Sequence, residues 1–196
     1  MDKIKVGIAG AAGYTGCELI RLLATHPQAE ISWLMTGKTH EGKSLHEVFP
    51  HLRGVPERVF QPLEPASAEE TDLVFMATPH GVAVSIVPEF LKAGSKVIDV
   101  SADFRLKDPK AYEKWYEMTH TAPDLLEEAV YGLTELNRSQ LPGARIVANP
   151  GCYPTASILA LAPALQEGLA HLDSIVIDAK SGMTGAGAGG RACGYW

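Results

Sequence analysis

Apolar residues fall in short, nearly unbroken stretches, each followed by a segment where they recur every three or four positions. KIKVGIA (3–9), AEISWLMT (29–36), DLVFMATP (72–79), KVIDVSA (96–102) and ARIVANP (144–150) are strand-length runs rich in β-branched residues. GCELIRLLATH sets Leu19, Leu22 and Leu23 on one helical face. VAVSIVPEFLKAG reads as a second helix, which Pro88 is expected to kink and Gly94 to end. DPKAYEKWYEMTH and YPTASILALAPALQEGL read as two more helices, and SIVIDAK (174–180) as a last strand with no evident partner. Strands alternating with helices predict a parallel sheet covered on both faces, and DLVFMATP is apolar enough to be buried on both sides. Residues 37–70 look loop-like with a short strand inside, and the glycine-rich tail SGMTGAGAGGRACGYW ends without a capped element.

Composition narrows the class. With 196 residues, 46% hydrophobic and 20% charged, the chain is long enough for one full domain and part of a second. A net charge of -6 argues against nucleic acid or an anionic membrane as partner. Three cysteines, Cys17, Cys152 and Cys193, are too few and too scattered for a disulfide framework, so a reducing, cytoplasmic setting is expected. Glycines interrupt the apolar N-terminal run and Glu18 and Arg21 follow it, which suits a buried strand rather than a signal peptide. No metal-ligand spacing is read.

GIAGAAGYTGCE places Gly10, Gly13 and Gly16 directly after a strand and at the start of a helix. Such glycines allow a tight turn and let a pyrophosphate approach the helix N-terminus, where free amides and the positive dipole end meet it. The expected fold is therefore α/β: a Rossmann-like doubly wound parallel sheet over residues 1–150, followed by an incomplete start of a second α+β domain over residues 151–196. The second strand ends in Thr36, Gly37 and Lys38, where an NAD site would place a carboxylate for the ribose. A hydroxyl and a cation suit a 2'-phosphate instead, so NADP(H) is the expected cofactor.

Three further strand ends carry chemistry. Thr78, Pro79, His80 and Gly81 should face the cofactor, with His80 read as a hydrogen-bonding group of the turn rather than a general base. Ser101, Asp103 and Arg105 bring a hydroxyl, a carboxylate and a guanidinium fork to the same crevice; an Asp103–Arg105 surface pair is the plain alternative. NPGCYPTA puts Cys152 at a strand-to-helix turn, where the dipole and free amides stabilise a thiolate, making it a candidate nucleophile. Cys17 and Cys193 are read as chemically incidental.

GAAGYTG, ATPHG, VIDVSADFRL, YGLTELNR, NPGCYPTA and AKSGMTGAG occur in the order seen in N-acetyl-gamma-glutamyl-phosphate reductases, a family the chain resembles over essentially its whole length. The resemblance implies an NADP-dependent reductive dephosphorylation of arginine biosynthesis, with Cys152 forming a thioester. It implies cofactor contacts from Gly10, Ala12, Gly13, Tyr14, Thr15, Gly16, Thr36, Lys38, Thr78, Pro79, His80, Ser181 and Gly182, with Ser181 and its neighbouring glycines also implied as a hold for substrate phosphate or carboxylate. It implies substrate contacts from Ser101, Arg105, Glu135, Asn149 and Tyr153, and a homo-oligomer for the full-length protein. Members of the family continue through a sheet-forming domain carrying a catalytic histidine, expected beyond Trp196, and the glycines before Arg191 depart from their pattern. An NADP-binding fragment without turnover, or a related semialdehyde dehydrogenase acting on another acyl phosphate, are the alternatives.

Overall fold

The computed structural model describes residues 2–65 and 71–186; Arg191 and Cys193 lie outside them. The elements, in chain order, are β1 (Ile4–Ala9), α1 (Tyr14–Leu23), β2 (Ala29–Thr36), α2 (Leu45–Val48), β3 (Phe60–Pro62), β4 (Leu73–Met76), α3 (Ala83–Lys92), β5 (Lys96–Asp99), α4 (Pro109–Tyr116), α5 (Asp124–Glu128), β6 (Val130–Tyr131), α6 (Thr134–Asn137), β7 (Ile146–Ala148) and α7 (Cys152–Gln166). The seven strands among the described residues join one sheet in the order β3-β2-β1-β4-β5-β7-β6, with every neighbouring pair parallel. The strand order reverses between β1 and β4, which opens a crevice at their carboxyl ends.

Two apolar layers hold the sheet. On one face Trp33, Met35, Val74, Met76, Val97 and Ile146 pack beneath Val87 and Phe90 of α3 and Leu126 of α5. Trp33 stacks on Phe90 at 5.8 Å and donates its indole N–H to Thr71 Oγ1 at 2.7 Å, so its one polar atom is satisfied. On the other face Ile8, Ile31 and Leu34 pack against Cys17 and Ile20 of α1 and against Leu45, Leu52 and Phe60.

Local signals set the helix ends. α3 runs through Pro88 and closes in a Schellman turn: Gly94, at φ +93°, donates to the Leu91 carbonyl, and Ser95 donates to Phe90. Asp108 caps α4 by accepting from the Lys110 amide, with Pro109 in the first turn.

Two expectations fail. Residues 175–180 form no strand, and Val176 and Ile177 are exposed there, because β-branched composition cannot hold a strand without a ladder partner. Nor is the sheet covered evenly: Leu73, Phe75, Ile98 and Val147 are only half-buried among the described residues, while Val74, Met76, Val97 and Ile146 on the opposite face are buried. α7 contributes no buried residue to either layer.

Candidate active site

β1 ends at a turn that sequence and packing dictate together. Gly10 has φ +81°, and a Cβ there would stand 2.3 Å from the Ala77 carbonyl oxygen of the neighbouring strand, so no other residue fits. The amides of Gly10 and Ala11 both donate to Met35 at the end of β2. Gly13 is different: its φ is -81°, and a Cβ would meet nothing nearer than the Gly10 carbonyl at 3.5 Å. Packing therefore leaves Gly13 free to be alanine, and its bare surface is an approach path. It is the N-cap of α1, offers no side-chain cap and is followed by no acidic residue in the first turn, so the leading amides face outward for an anion.

β4 and β5 end in turns tied by buried carboxylates. Asp103 is fully buried and accepts from the amide of Gly81 at 2.8 Å and 3.0 Å, the amide of Val84 at 3.2 Å and the Tyr112 hydroxyl at 2.9 Å. Burial, reinforced by that carboxylate, raises the Tyr112 hydroxyl's pKa. His120, its imidazole held below the usual range by burial, donates from Nε2 to the Asp103 carbonyl oxygen at 2.9 Å. Asp99, also fully buried, accepts from the amide and hydroxyl of Ser101, both at 2.9 Å.

Arg105 makes no ion pair with Asp103, whose oxygens are otherwise engaged. It donates from Nε to the Asn149 carbonyl and from Nη2 to the Val100 carbonyl, each at 2.8 Å, and its Nη1 lies 3.2 Å from where a Cβ on Gly151 would stand. The guanidinium is thus fixed by neutral carbonyls beside the cysteine turn, its charge left for an anion. Cys152 is the first residue of α7, exposed and reduced; Gly151 is the N-cap, and its carbonyl accepts from the amide and hydroxyl of Thr155.

These pieces meet in a cleft of about 1040 Å³ lined by Thr15, Thr78, Pro79, His80, Arg105, Glu135, Asn149 and Cys152, together with Thr155, Thr184 and Gly185. Not every expected residue reaches it. Ser101 is buried and spent on Asp99; Tyr153 is exposed outside the cleft; Ser181 and Gly182 are exposed and off its lining. Thr36 is buried at the end of β2 and Lys38 exposed beyond it. Ala12, Gly13, Tyr14 and Gly16 belong to the glycine turn and the start of α1. Asp99, Tyr112 and His120 did not stand out in the sequence, because their role is to satisfy other polar groups under the turns. Another concavity, about 810 Å³, lies at the amino ends of β1, β4 and β5, away from the strand ends where such sheets take ligands.

The donor set fits a dinucleotide. The uncapped start of α1 and bare Gly13 suit a pyrophosphate, and Thr78 Oγ1, buried without a partner, is left for a group entering the cleft.

Asp99 makes this frame sensitive to pH. Burial is the main cause of a carboxyl pushed up to about 6. An unfolded aspartate titrates near 3.9, so between about pH 4 and 6 the folded chain binds more protons and stability falls as pH rises, then levels off above 6. Asp99→Asn removes this titration. Its stability relative to the native chain is expected to improve by about 2–3 kcal/mol between pH 4 and pH 7 in urea unfolding; parallel pH profiles would contradict it.

Comparisons with known proteins agree with this arrangement. Residues 5–144 match the semialdehyde dehydrogenase NAD-binding domain, and residues 152–192 the semialdehyde dehydrogenase dimerisation domain. The chain is 54% identical to the N-acetyl-gamma-glutamyl-phosphate reductase of Symbiobacterium thermophilum over 95% of its length and 53% of that protein's. The chain thus spans about half the length of the curated relatives it matches. Among solved structures, aspartate semialdehyde dehydrogenase II of Vibrio cholerae, complexed with ASA, superposes with a TM-score of 0.67 at 18% identity, over 96% of this chain and 49% of that one. The aspartate semialdehyde dehydrogenase of Candida albicans, with NADP, gives 0.60 at 20% identity over 86% and 48%. A glycine turn at the switch point, an open cysteine turn across the cleft and a domain match over most of its length place this chain in the semialdehyde dehydrogenase family.

Proposed function

We propose that the chain is the cofactor-binding and thiol-bearing part of an N-acetyl-gamma-glutamyl-phosphate reductase. The observation that carries the reading is the exposed thiol of Cys152 sharing one cleft with the unpaired guanidinium of Arg105 and the start of α1. Arg105 holds the anionic group of the acyl phosphate by its fork and so sets the acyl carbon over Cys152. The Cys152 thiolate attacks that carbon; the C–O bond to phosphate breaks, phosphate leaves, and the acyl group stays as a thioester. The start of α1 and the bare surface of Gly13 would hold NADPH, which when bound would supply hydride to the thioester carbon. Cleavage of the C–S bond would then return the Cys152 thiolate and free the aldehyde.

Thr36 and Lys38 at the end of β2, with no carboxylate at that strand end, support a 2'-phosphate and hence NADP(H) over NAD. The match of residues 152–192 to a dimerisation domain supports association with a second copy. Among the described residues no helix is long and apolar enough to cross a membrane, and two cysteines are free; a cytoplasmic enzyme is the reading they support.

The test runs the reaction backwards. N-acetylglutamate semialdehyde, phosphate and NADP are mixed with the chain and absorbance of reduced nicotinamide is followed; growth supports the reading, and growth only with aspartate semialdehyde overturns the substrate. The cofactor turn has its own check. Gly13→Ala is expected to leave stability within about 0.5 kcal/mol and to weaken NADPH binding, measured by fluorescence titration. Unchanged affinity would remove Gly13 from the cofactor path.

A further inference from the structure

We infer that the turn after β4 is a two-point hydrogen-bonding site for the nicotinamide half of the dinucleotide, its contacts being Thr78 Oγ1 and His80 Nε2. The inference rests on the cofactor reading above and goes beyond it by assigning each atom a role. Thr78 is 8% exposed, lines the cleft, and its Oγ1 is the one buried side-chain polar atom without a hydrogen-bond partner among the described residues. A buried hydroxyl left unpaired is unfavourable, and a methyl in its place would remove the penalty. Its partner is therefore a group that enters the cleft.

His80 points to the same group by separate logic. Its Nδ1 accepts from the Ala102 amide at 3.0 Å. A backbone amide can only donate, so Nδ1 carries the lone pair and the ring proton is on Nε2. The Tyr116 ring lies 5.7 Å from the imidazole, and Nε2 has no partner among the described residues. The turn thus offers a fixed donor beside a hydroxyl that can donate or accept. Position decides which part of the cofactor they meet: the glycine turn after β1 takes the pyrophosphate and the end of β2 the adenosine side. The end of β4, across the switch point, takes the other half. A carboxamide is complementary, its oxygen accepting from His80 Nε2 and its amino group donating to Thr78 Oγ1.

Native chain, Thr78→Val, His80→Asn and His80→Gln are titrated with NADPH by fluorescence and with adenosine 2',5'-bisphosphate, which lacks the nicotinamide half, by calorimetry. The asparagine oxygen takes the place of Nδ1 and keeps the Ala102 amide while leaving nothing at Nε2; glutamine restores a donor there. Thr78→Val and His80→Asn are each expected to weaken NADPH roughly tenfold. His80→Gln should retain most of the affinity, and the bisphosphate should bind all four proteins alike. Thr78→Val should not lower the melting temperature, since no hydrogen bond within the chain is lost. Native affinity in His80→Asn would make His80 a support of the turn only and overturn the proposal. An equal loss for the bisphosphate would overturn it too, by showing that the turn acts on the adenosine side. If the native chain binds neither ligand the cofactor reading itself fails; if it binds NADPH and the variants match it, this inference alone fails.

Discussion

Cys152→Ser is expected to cut the reverse-reaction rate by roughly three orders of magnitude or more. Serine keeps the size of the side chain but not its acidity: a hydroxyl at neutral pH is almost wholly protonated and adds poorly to the aldehyde, and an alkoxide is a poorer leaving group than a thiolate when phosphate attacks the acyl-enzyme. The fold should not suffer, because the side chain is exposed and the turn is held by Gly151, Thr155 and Arg105 rather than by sulfur. Alkylation gives an independent readout. Iodoacetamide should label Cys152 and spare Cys17, which is 7% exposed, lies 3.4 Å from His51 Nε2 and has its thiol pushed up by burial. A Cys193→Ser background keeps the remaining thiol out of the count. Turnover that survives Cys152→Ser, or labelling that falls first on Cys17, would remove the nucleophile from the mechanism.

The parts of this arrangement that could be read in the sequence are those whose cause is local. Five strand runs were recognisable because a buried parallel strand has to be apolar along its length, and the glycine turn because a positive φ at Gly10 admits no side chain. Gly94 ends α3 for the same reason. What was hidden depends on partners distant in the chain. β6 is two residues long and exists only because Val130 and Tyr131 pair with β7, and α5 is defined by where Leu126 packs rather than by a periodic pattern. SIVIDAK carries every local mark of a strand and forms none, since a strand is completed by its neighbour.

The same division runs through the site. Cys152 and Arg105 stood out by residue type at strand ends, and both line the cleft. Ser101 and Tyr153 were equally polar and equally close in sequence, yet one is spent on Asp99 and the other is outside the cleft. Residue type shows which groups can do chemistry; the hydrogen-bond network shows which are already engaged. Asp103 is the sharpest case, since sequence left open a group facing the crevice or a surface pair with Arg105, and the fold uses it to join two turns.

Asp103→Ala is therefore expected to be the most damaging single change to the fold, costing about 3–5 kcal/mol. Its carboxylate accepts from two amides at the start of α3 and from Tyr112 of α4, in a place with no solvent to replace it. Alanine would leave all three donors unsatisfied and open a void beside the Tyr112 hydroxyl and the Gly81 and Val84 amides. Against a typical total of about 5–15 kcal/mol, that is a large share, and a drop of roughly 10 °C in melting temperature should accompany it. Asp103→Asn separates charge from shape: one oxygen still accepts, while the amino group is turned toward N–H or O–H donors, so an intermediate loss is expected. The measurement is urea and thermal unfolding followed by circular dichroism. A loss under about 1 kcal/mol in Asp103→Ala would show that the two turns hold their places without the carboxylate. The position of His80 would then have to come from the Ala102 amide and the aromatic contact with Tyr116 alone.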